Sequence, residues 1–165
     1  MRRIVLETGS FSAEQILKKL DEQGICINRY AEEYICHPRF SAVCSGKTTV
    51  TIASLREIGL QHGAALDDVF QRLPQVGLKP CSSGTGFFLR LAWPDQPMSN
   101  NSVLSGTHGA PDLAVTVLTE PLEEDDSFPK GLYLRNVDGV LWLRGYICDS
   151  EYRFPGDALF AFETI

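Results

Sequence analysis

GLYLRNVDGVLWLRGY, residues 131–146, decides how the fold is read. Two alternating runs meet at Asp138-Gly139, and Asp-Gly between such runs selects a two-residue type I′ turn, because both central residues need positive φ. That turn fixes the register. Val137 faces Val140, Arg135 faces Trp142 and Tyr133 faces Arg144 on one side of the ribbon, since side chains alternate with period two. Leu132, Leu134, Leu141 and Leu143 share the other side and are expected to be core. On the first side guanidinium groups can lie over aromatic rings, so Tyr133, Arg135, Trp142 and Arg144 form the expected partner-binding surface.

Strands are expected on both sides of this hairpin. ALFAFE at 158–163 closes the chain, DLAVTVLT at 112–119 precedes it, and EPLEEDDSFPKG between is an acidic turn. GFFLRLAW at 86–93 is read as a further strand that brings Arg90 out on its less buried face, with Pro94 ending the pairing. TVTIA at 49–53 is strand-like, SAVCSGKT before it is a polar turn, and IVLE near the start is a short first strand. Helices come earlier. Ser12 with Gln15 makes a capping box for a helix that Gly24 ends, Asn28 caps a second that Pro38 stops, and residues 65–73 carry Leu66, Val69, Phe70 and Leu73 on one stripe. This order predicts a single α+β domain over residues 1–165, with a mainly antiparallel sheet and about three helices mostly in the N-terminal half.

With 165 residues, 44% of them hydrophobic, the chain can bury roughly two thirds of its unfolded surface. A net charge of −6 argues against nucleic acid as a partner and suits a basic one. No run reaches the length of a membrane span, and the first residues lack the apolar stretch of a signal peptide, so a cytoplasmic protein away from membranes is expected. Five cysteines form an odd set that makes a poor disulfide framework, so reduced thiols are expected.

Motifs with chemistry are few. SGKTT at 45–49 ends like a phosphate-binding loop, but the position of its first glycine holds Ser41, and the segment precedes a strand where the mechanism needs a helix. Cys26, Cys36, His37 and Cys44 lack the close paired spacing of a zinc site, and the acidic run from Glu120 to Asp126 lacks the glycine of a calcium loop. We assign no metal and no cofactor from the sequence. PDQP at 94–97 holds Asp95 and Gln96 in a restricted turn next to Arg90; either it serves recognition, or Asp95 caps its own turn and pairs with Arg90 or a neighbouring amide. Residues 94–111 read as one long loop.

GLKPC at 77–81, FLRLAWPDQP at 88–97, GVLWL at 139–143 and PGDALFAF at 155–162 together resemble a pattern found in a family of small bacterial proteins with no assigned activity. The resemblance implies one domain and a bacterial origin, and carries no chemistry. The sequence departs from that pattern in its longer Ser-, Asn- and Gly-rich segment at 99–110. The function expected is therefore binding rather than catalysis. Arg90, Asp95, Gln96, Tyr133, Arg135, Trp142 and Arg144 would grip a protein partner, and exposed strand edges leave room for a homodimer. The alternatives are a small hydrolase or transferase using Cys81, His108 and Asp95, or a small-ligand site near the 94–111 loop.

Overall fold

The hairpin forms in the expected register. β6 (Gly131–Val137) and β7 (Val140–Tyr146) pair Val137 with Val140, Arg135 with Trp142 and Tyr133 with Arg144. Asp138 and Gly139 take φ of 52° and 83°, the two positive values a type I′ turn requires. In this computed structural model, which describes residues 1–100 and 112–165, β6 and β7 belong to an eight-stranded sheet.

In chain order the elements are β1 (Arg2–Phe11), α1 (Ala13–Glu22), β2 (Cys26–Ile27), α2 (Arg29–Ile35), β3 (Ala42–Ser54), α3 (Leu66–Arg72), β4 (Leu78–Lys79), α4 (Thr85–Ala92), β5 (Val115–Val117), β6, β7 and β8 (Leu159–Thr164). The sheet runs β1-β3-β8-β5-β6-β7-β2, and β4 also pairs with β8. Ser12 and Gln15 make the capping box, and Asn28 accepts from the Ala31 N–H as N-cap of α2. Asn28 also bridges to both backbone groups of Gly145, and here α2 lies so close to β7 that an added Cβ would stand 2.5 Å from the Tyr30 carbonyl carbon.

The α+β class holds, with three corrections. Residues 86–93 lie mostly in helix α4, not a strand. Thr85 to Arg90 are buried on every side, so the run shows no helical period, and a short apolar run without a period reads equally as either element. A fourth helix therefore stands past the middle of the chain, and the described helices are not mostly N-terminal. With that segment in a helix, β5 enters beside β8 and parallel to it, and β2 lies parallel to β7, so the sheet is mixed, two short parallel pairings joining the longer antiparallel ones. Finally, the turn expected at 41–48 lies almost wholly in the thirteen-residue β3, which pairs β1 along nearly its whole length.

One face of the sheet packs on α1, α2 and α4 through Leu6, Ile16, Tyr34, Val50, Phe87, Leu132, Leu134 and Leu143. The other packs on α3 through Val69, Leu73, Phe154, Phe160 and Phe162, with Tyr146 and Cys148 at its margin. Among the described residues no helix is long and apolar enough to cross a membrane.

Candidate functional site

At the turn end of β6 the polar residues are consumed by the fold. Arg90, expected to emerge, is fully buried. It donates to the Gln96 side-chain oxygen at 2.5 Å, to the Trp142 carbonyl at 3.4 Å and to the Trp93 carbonyl, just past the end of α4. These partners are neutral oxygens, supplemented by the negative end of the α4 dipole. Burial lowers the Arg90 pKa to about 10, which leaves it charged at neutral pH. Gln96, not Asp95, is thus the partner of Arg90. The Gln96 amide nitrogen donates to the Leu113 and Leu134 carbonyls, both at 3.2 Å, and the Gln96 backbone carbonyl accepts from Asn136, so the residue plugs the sheet where β5 begins beside β6. Arg135 is also fully buried and donates to Ser99 Oγ at 3.0 Å. Asp95 is exposed.

The remaining hairpin residues are half-buried. Arg144 donates to Tyr133 Oη at 2.8 Å and lies 4.9 Å from the centre of the Trp142 ring. The stacking expected across the strands takes another form: Arg144 lies over Trp142 of its own strand and meets Tyr133 through its hydroxyl, and only Tyr133, Trp142 and Arg144 of the hairpin set reach solvent together. His108 lies outside the described residues, and Cys81 is buried with its thiol donating to the Ala161 carbonyl at 3.4 Å.

The other end of β6 is built oppositely. Lys130 stands just before the strand, and its backbone N–H donates to the Tyr146 carbonyl, extending the β6–β7 ladder. Its side chain turns inward. The ammonium donates to the carbonyls of Glu123, Glu124 and Asp125 at 3.4, 3.2 and 3.2 Å and pairs with Asp126 at 3.4 Å. Asp125 accepts from both the N–H and the hydroxyl of Ser127, bonds that lower its pKa. Glu123 meets His37, at the end of α2, at 2.7 Å. The acidic turn is therefore an ordered wall.

Across from it stand α3 and the chain leaving β7. Arg153 holds Asp68 at 3.4 Å and the Gly63 carbonyl at 3.2 Å, while Ala64 and Phe154 exchange both backbone hydrogen bonds. Between these segments lies a cavity of about 210 Å³ with Leu66, Phe70 and Pro121 as apolar surface and Asp67, Glu124, Asp126 and Asp149 as carboxylates. A shallower depression continues it past Ile147, Glu151 and Tyr152. Cys148 borders both, and its pKa is raised to about 11, chiefly by burial, so it is a thiol at neutral pH. Burial likewise holds Cys81 well above its ordinary value.

Among the described residues no three His, Cys, Asp or Glu side chains converge to hold a metal ion. The arrangement presents an apolar surface rimmed by negative charge. Sequence reasoning finds the acidic run but sees in it only an acidic turn. The missing signal lay in Leu66, Asp67, Phe70, Cys148 and Asp149, which only the fold brings opposite that turn. No family model, no curated protein and no solved structure matches this chain.

Proposed function

We propose that the protein is a non-catalytic binding protein whose partner is a protein carrying a basic segment with apolar anchors, received in the groove between α3, the acidic turn and residues 147–152. The observation that carries this is the pairing of an apolar surface with four carboxylates on walls fixed by Lys130 and Arg153. Lys130 offsets one of the four, because its ammonium pairs with Asp126 at 3.4 Å, and the rim stays net negative. Electrostatic complementarity of this kind speeds encounter and selects the sign of the partner, while the apolar contacts supply the anchoring.

Calorimetric titration with short synthetic peptides alternating Lys or Arg with Leu tests the reading. Asp67→Lys with Glu124→Lys should weaken binding by about tenfold or more, and higher salt should weaken it as well. The equal charge change at Glu14 and Asp21 on α1 should have little effect. Absence of binding, or equal losses from both double variants, would sink the proposal.

The hairpin face supports a second reading, because half-exposed Trp142 with Arg144 stacked on it is a preorganised anchor of the kind favoured at interfaces. Trp142→Ala with Arg144→Ala should then abolish capture of a crosslinked partner from the native host while leaving the domain folded. Persistent capture by the folded variant would exclude that face.

A further inference from the structure

The two ends of the sheet are unequal. β2 is two residues long, whereas β1 spans Arg2–Phe11 and pairs with β3 on one side only; among the described residues no strand lies on its outer side. Its ladder with β3 is regular from Arg2↔Ile52 to Thr8↔Gly46, and the irregularity comes only between Thr8 and Ser10. A long open edge presents unpaired N–H and C=O groups, and like charges along it would repel another strand.

The charges on β1 have opposite signs. Leu6 is core and Ile4 packs against it, so the alternation places Arg3, Val5 and Glu7 together on the opposite face of the strand. Val5 is 59% exposed, unusual for a valine within a sheet. Glu7 has only an exposed contact to Lys47 at 3.8 Å, which leaves it free to take another cation.

We propose that β1 pairs antiparallel with β1 of a second copy of this chain, about a two-fold axis at Val5. In that register Val5 meets Val5, and Arg3 of each copy faces Glu7 of the other, so one strand supplies both members of two cross-strand ion pairs. The register is selected as well. Moving the axis to Ile4 sets Arg3 against Val5, and moving it to Leu6 sets Glu7 against Val5; either loses both pairs. Because the contact is isologous it closes at two copies and does not propagate into a fibre.

Sedimentation equilibrium on the whole protein tests this, with circular dichroism confirming that each variant is folded. The unaltered chain should form a concentration-dependent dimer. Arg3→Glu alone and Glu7→Arg alone should each weaken it by about tenfold or more, because two attractive pairs become repulsive. Mixing the two folded variants should restore dimerisation, since one copy then carries two arginines and the other two glutamates. A monomer at all concentrations, a dimer indifferent to both single reversals, or a mixture no tighter than its components would each overturn the proposal.

Discussion

The two ends of β6 use a buried cation in opposite ways. At the Asn136 end, Arg90 is sunk among the Trp93 and Trp142 carbonyls and Gln96, and the polar groups around it are spent closing the sheet. At the other end Lys130 is nearly as buried and is also surrounded by carbonyls, yet these belong to a turn from which Glu124 and Asp126 line a groove. Burial of a charge alone does not mark a functional site. What matters is where the groups that satisfy it leave their own side chains. Around Arg90 the side chains of Trp93 and Gln96 are turned into the protein and only Trp142 reaches solvent, whereas beside Lys130 Glu124 and Asp126 line a groove.

The contrast can be broken at either cation, and the larger effect belongs to Arg90. Arg90→Met leaves the Gln96 side-chain oxygen and two carbonyls short of a donor in the interior, so it should cost about 3 kcal/mol in denaturant unfolding. Arg90→Lys should recover only part of the loss, because an ammonium cannot span partners set for a planar fork. A loss below about 1 kcal/mol would mean that the corner is not held by this arginine. Lys130→Met should cost less, about 2 kcal/mol, since the Asp125–Ser127 and Glu123–His37 contacts still shape the turn. Peptide affinity separates the two variants: under conditions where both stay folded, Lys130→Met should change it, by loosening one wall and removing a positive charge from the groove, and Arg90→Met should leave it as it was.

The same contrast explains what was legible in the sequence. The hairpin is local: its turn residues, alternation and register lie within sixteen consecutive positions, and Asp138-Gly139 leaves little choice. Both N-caps at Ser12 and Asn28 are local in the same way. α4 reads as a strand because burial on all sides erases the period by which a helix announces itself, and strand alternation then places Arg90 outside when the helix holds it inside. Gln96 and Asp95 are adjacent and similarly polar, and only the end of β5 determines which is drawn in. The acidic turn was visible as composition, but its opposing wall comes from α3 and from residues after β7, and no pattern within either segment pairs them.

The smallest effect concerns Cys148, and it separates binding from catalysis at the groove. Burial raises its pKa to about 11, so the folded chain keeps a proton that the unfolded chain releases near pH 8.5, an ordinary value for cysteine. The resulting contribution to stability is complete below about pH 8.5 and is lost as pH rises through about 11, so Cys148→Ser should shallow the alkaline fall in stability, measured relative to each protein's own value at neutral pH. Tyr34, raised to about 12 by burial, should extend that fall further into base. At pH 7 the thiol form governs reactivity, because the thiolate is the nucleophile. Iodoacetamide followed by peptide mapping should therefore modify the exposed Cys36 first and leave Cys148 and Cys81 largely intact. Alkylation of Cys148 as fast as Cys36 would show an ionised sulfur beside Asp126 and Asp149, and the groove would then have to be read as a place where a bond is made rather than one where a partner is held.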